Sequence, residues 1–105
     1  MTRQPSFYIP HGGGPCFFMP DPQGNWTSMA EFLRSLPARL PEPPKAILVV
    51  SGHWETEGFA FTGAETPALL FDYYGFPQHT YELRFDAPGA PDLASEAARL
   101  LRCLL

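Results

Sequence analysis

Five consecutive apolar residues, Ala46-Ile47-Leu48-Val49-Val50, restrict this chain more than any other feature. The run has no polar alternation, so an extended backbone there offers apolar side chains to both faces. Such a strand is stable as an inner member of a sheet covered by helices on both sides. It is far too short for a bilayer, which needs about 20 apolar residues, so the sequence predicts no membrane span. The N-terminus, interrupted by Pro5 and Pro10, lacks the continuous apolar stretch of a secretory signal. Cys16 and Cys103 are too few and too isolated for a disulfide framework or a paired-thiolate zinc site. These features together predict a cytoplasmic protein with reduced thiols. A net charge of -4 gives no pull toward nucleic acid or anionic lipid, and 45% hydrophobic residues argue against a disordered polymer.

Other segments read in relation to that run. Ser6-Phe7-Tyr8-Ile9-Pro10 is a short aromatic and β-branched stretch that empties into His11-Gly12-Gly13-Gly14, the pattern of a strand entering a loop. Asn25, or Ser28 with Glu31 as a capping box, opens a helix whose apolar positions are Trp26, Met29, Ala30, Leu33 and Leu36, ended by Pro37. Strand, helix and strand in this order make one right-handed βαβ unit. Residues 59–63 and 81–85 add two further strand candidates, and the aromatics Phe71, Tyr73, Tyr74 and Phe76 read as core. Pro91 and Asp92 open a last helix with Leu93, Ala97, Leu100, Leu101 and Leu104 on one face. That helix stops without a terminating Gly or Asn, so the chain reads as cut mid-fold. The expected class is therefore α/β, a three-layer α/β/α arrangement around a mostly parallel sheet, with residues 1–105 as the N-terminal part of a single domain.

In open parallel sheets, ligands bind beyond the carboxyl ends of the strands. His11 follows the first predicted strand and His53 the second, so adjacent strands would turn both imidazoles toward one crevice, where they can share a divalent ion. The competing interpretation makes each histidine a hydrogen-bonded loop residue. Ser51, Trp54 and Glu55 flank His53 and are candidates to orient it, Glu55 also being a weaker candidate ligand two residues along an extended backbone. His79 sits before a predicted strand and reads as a turn residue. His-Gly-Gly-Gly after a strand also occurs in the oxyanion loop of certain esterases, but the Gly-x-Ser-x-Gly elbow they require is missing from this sequence. His53-Trp54-Glu55 imitates the His-x-Glu of zinc deaminases without their Cys-x-x-Cys.

Four blocks, Phe7 to Pro15, Lys45 to Glu55, Asp72 to Pro77 and Tyr81 to Gly89, together resemble the class III extradiol ring-cleavage dioxygenases, in the branch similar to 4,5-DOPA extradiol dioxygenases. The blocks occur in the family's order along nearly the whole chain. The resemblance implies one divalent metal ion, Fe(II) or Zn(II), with His11 and His53 as its two N-terminal ligands. It implies a catechol substrate and dioxygen, with ring opening beside the diol to a semialdehyde, and leaves oligomeric assembly open. Remaining ligands and the acid/base histidine of the family lie in a C-terminal half that the sequence lacks, so the catalytic residues are not found in it. A truncated, non-catalytic polypeptide that folds or acts only with a complementary chain is the alternative expectation.

Overall fold

Helices close their hydrogen bonds within a few residues of chain, and both helices expected from periodicity are present in the computed structural model, which describes residues 2–104. α1 spans Thr27–Ser35 and α2 spans Pro91–Leu104, with 3₁₀ turns at Cys16–Phe18, Leu36–Arg39 and Gln78–Tyr81. The chain divides into two compact units, Met1–Ile47 with Tyr73–Tyr81, and Leu48–Asp72 with Glu82–Leu105.

In the first unit, α1 begins from an upstream turn. Pro22 at the second position of Asp21-Pro22-Gln23-Gly24 favours a turn, closed where the Gly24 N–H donates to the Asp21 carbonyl at 3.0 Å. That reversal lets the Asp21 carboxylate accept the Asn25 and Trp26 amides at 2.9 and 2.8 Å. The expected caps at Asn25 or Ser28 are therefore replaced: Trp26 holds the N-cap position without a side-chain bond, and Asp21 supplies both the acceptors and the negative charge that a helix N-terminus favours. Trp26, Met29, Ala30, Leu33 and Leu36 are half-buried, as the spacing predicts, while Glu31 and Arg34 are exposed. Beyond Ser35 the chain tightens into the 3₁₀ turn that contains Pro37.

A second local knot forms around Gln78–Tyr81. Thr80 is fully buried; its hydroxyl donates to the Pro77 carbonyl at 2.7 Å, and its own carbonyl accepts from the Tyr73 hydroxyl. The Tyr73 ring meets Phe76 edge-on at 5.4 Å and Tyr81 at 5.2 Å. Tyr73 thus takes the interior position expected of it, whereas Tyr74, assigned to the core by its aromatic character, is 90% exposed.

In the second unit, the Gly89 N–H donates to the Glu65 carbonyl at 2.8 Å. A Cβ at Gly89 would lie 1.9 Å from the Ala64 carbonyl oxygen, so no other residue fits there. α2 covers Ala94, Ala98 and Leu101 along a groove shared with Phe59 and Phe61. Of the apolar face expected from the sequence, Ala97 and Leu101 are half-buried, whereas Leu93, Leu100 and Leu104 are exposed. Arg99 grips Glu96 through two nitrogens at 2.8 and 2.6 Å, and its guanidinium holds the Glu96 carboxyl below the usual carboxylate range.

The three-layer α/β/α arrangement does not form. Among the described residues there is no strand, and the predicted strands at 6–10, 46–51, 59–63 and 81–85 are irregular, Tyr81 belonging to a 3₁₀ turn. The physical reason is missing cover. Ile47, Leu48, Val49 and Val50 are 76, 70, 74 and 92% exposed, and among the described residues no backbone hydrogen bond engages 46–50. A sheet meant to be buried on both faces has neither face closed here.

These features have measurable consequences. Asp21→Ala removes two amide acceptors at the start of α1 and is expected to cost about 1 kcal/mol, read as a lower urea midpoint at unchanged m. Amides of residues 47–50 should exchange with solvent at near-intrinsic rates while the middle of α2 is protected; slow exchange at 47–50 would restore the sheet. Because the Glu96 pKa is lowered on folding, its stabilisation is present above the unfolded-state value and is lost as pH falls through the depressed one. Arg99→Gln should therefore move the acid loss of α2 helicity, followed by circular dichroism, to higher pH.

Candidate metal centre

An imidazole binds a metal through whichever ring nitrogen carries the lone pair, and the partner of the other nitrogen decides which that is. His11 Nδ1 lies 2.9 Å from the Gly12 carbonyl oxygen. A carbonyl only accepts, so Nδ1 carries the proton and Nε2 the lone pair. The glycine loop that follows serves packing at two of its three positions. A Cβ at Gly12 would fall 2.0 Å from Cys16 Sγ, and one at Gly14, where φ is 50°, would fall 2.9 Å from the Phe76 ring. Gly13 faces open space. His79, in the 3₁₀ turn, donates from Nε2 to the Phe18 carbonyl at 2.9 Å. Its lone pair is then on Nδ1, and its bond ties two loops of the first unit together, consistent with the turn residue the sequence suggests.

His53 belongs to the second unit. Its backbone N–H donates to Ser51 Oγ at 3.1 Å, so Ser51, one of the flanking candidates, touches the histidine's main chain. Trp54 and Glu55 lie exposed on the same stretch. The ring itself is engaged by a residue that no sequence motif singles out: Asp72 Oδ2 lies 2.6 Å from His53 Nδ1. An ionised carboxylate only accepts, so His53 also holds its proton on Nδ1 and its lone pair on Nε2. The signal for Asp72 was present as the acidic first residue of the Asp72 to Pro77 block, but 19 positions separate it from His53.

Two neutral imidazoles with the lone pair on Nε2 suit Fe(II) and Zn(II), so the donor chemistry of His11 and His53 fits a divalent ion. Among the described residues no group of three or more His, Cys, Asp or Glu side chains is placed to hold one. The expectation that paired strand ends turn both rings to one crevice loses its premise, since the sheet is not formed. Cys16 and Cys103 are both free thiols, the first buried and the second exposed. Among the described residues no helix is long and apolar enough to cross a membrane.

Comparison with known proteins adds an independent line. The family model described as catalytic LigB subunit of aromatic ring-opening dioxygenase matches residues 5–103. The chain is 37% identical over 111 residues to Dioxygenase tasH of Hapsidospora irregularis, covering 97% of this chain and 33% of that protein. It is 38% identical over 100 residues to the 4,5-DOPA dioxygenase extradiol of Escherichia coli (strain K12), covering 95% of this chain and 34% of that one. With the protein of the same name from Beta vulgaris it shares 34% over 97 residues, covering 91% and 34%. The chain therefore spans about a third of the length of these relatives. No solved structure matches it.

Proposed function

Since the chain belongs to the family of catalytic LigB subunits of aromatic ring-opening dioxygenases, we propose that His11 and His53 are two ligands of one divalent metal ion, Fe(II) or Zn(II), in a protein that opens a catechol ring with dioxygen. The supporting observation is that each imidazole is anchored through Nδ1 on an oxygen that only accepts, which assigns the lone pair of both rings to Nε2. When bound, the ion supplies Lewis acidity toward the oxygens of the substrate and, as Fe(II), redox capacity toward dioxygen. The chain's own residues bind and orient: the Gly12 carbonyl holds the proton at His11 Nδ1, and Ser51 Oγ fixes the backbone amide of His53. The names of the relatives favour a DOPA-like catechol as substrate, and free thiols at Cys16 and Cys103 favour the cytoplasm.

A second reading accompanies the first. The uncovered apolar run at 47–50 favours a polypeptide that turns over only with a complementary chain.

Calorimetric titration with Zn(II) tests the ligand assignment. His11→Ala and His53→Ala are each expected to weaken binding roughly tenfold or more, and unchanged affinity in both variants removes it. The chain alone, supplied with Fe(II), dioxygen and DOPA, is expected to form no visible chromophore; its appearance would remove the second reading.

A further inference from the structure

We infer that Asp72 is a positioning residue for His53: its carboxylate locks the imidazole in the Nδ1–H tautomer and fixes the direction in which Nε2 is presented. The inference rests on the reading of His53 as a ligand for its consequence in metal binding, but not for the tautomer itself. The two anchors differ in charge. His11 donates to a neutral backbone carbonyl and His53 to a carboxylate, at 2.9 and 2.6 Å. A charged acceptor makes the shorter and stronger bond, so the ring of His53 is held more firmly in its orientation than that of His11.

Stability does not account for the pair. Both side chains are about half exposed, at 61 and 47%, and exposed ion pairs contribute only about 0–1 kcal/mol. Orientation remains the larger effect. The His53 backbone is held by Ser51, and a second bond at Nδ1 restricts rotation of the ring about its side-chain torsions. Together they set the direction of Nε2 from two points, one on the main chain and one on the ring.

The test separates tautomer from affinity. Long-range nitrogen–proton correlation spectra of the chain at about pH 8, above the ordinary imidazole range, should show His53 with its proton on Nδ1. In Asp72→Ala the population should move to the Nε2–H form, and Zn(II) affinity should fall about 10- to 100-fold. Asp72→Asn keeps an oxygen acceptor of nearly the same shape without the charge, so it should retain Nδ1–H and bind Zn(II) with intermediate affinity. It also keeps the test usable if the alanine variant fails to fold. Persistence of Nδ1–H in Asp72→Ala overturns the inference, as does Zn(II) affinity in both variants equal to that of the parent when His53→Ala lowers it. If His53→Ala leaves Zn(II) affinity unchanged while Asp72→Ala still moves the tautomer, the ligand assignment falls and the positioning of His53 by Asp72 stands.

Discussion

Extended apolar backbone has to satisfy two demands at once, hydrogen-bond partners along its edges and cover over both faces, and among the described residues nothing supplies either to 46–50. The rest of the structure follows from that. Without a sheet, order comes from contacts that close over short stretches of sequence: the Asp21 turn feeding α1, the Tyr73 to Tyr81 knot around Thr80, the Arg99 clasp on Glu96. Each of these joins groups within eight residues of one another, where loop-closure entropy is low. Longer connections join these pieces, among them Gln4 with the Glu42 carbonyl, His79 with the Phe18 carbonyl, and His53 with Asp72.

What could be read from the residues in advance follows the same division. α1 was legible down to its half-buried face because helical periodicity is a local property, written at intervals of three and four residues from Trp26 to Leu36. α2 was legible as a helix but not in its orientation. Of its leucines only Leu101 is half-buried, alongside Ala94, Ala97 and Ala98, while Leu93, Leu100 and Leu104 are exposed. Strand character in Ile47 to Val50 was legible as propensity, but a strand exists only in its partner, and pairing is decided elsewhere in the chain. The start of α1 was missed because the capping carboxylate lies beyond a proline turn, outside the window in which a cap is normally sought.

The candidate site divides along similar lines. His11 and His53 stand out because their residue type is scarce and their neighbours are glycines and apolar runs. Asp72 does not stand out: a single carboxylate in an aromatic block carries no local pattern, and only the fold of the chain brings it to the ring of His53. The glycines beside His11 show the reverse error. They suggest a loop shaped for a ligand, whereas Gly12 and Gly14 make room for Cys16 and Phe76. The family match over residues 5–103 supplies what neither pattern nor packing does, membership of a family of aromatic ring-opening dioxygenases.

The unequal burial of the two thiols carries a practical corollary. Cys16 is enclosed beside Gly12, with 7% of its surface open, while Cys103 lies exposed in the final turn of α2. A maleimide dye or nitroxide spin probe therefore has a single ready attachment point on the unaltered polypeptide. It sits in the second unit on a helix remote in sequence from either imidazole, so an optical or paramagnetic reporter can be installed there without touching the histidines.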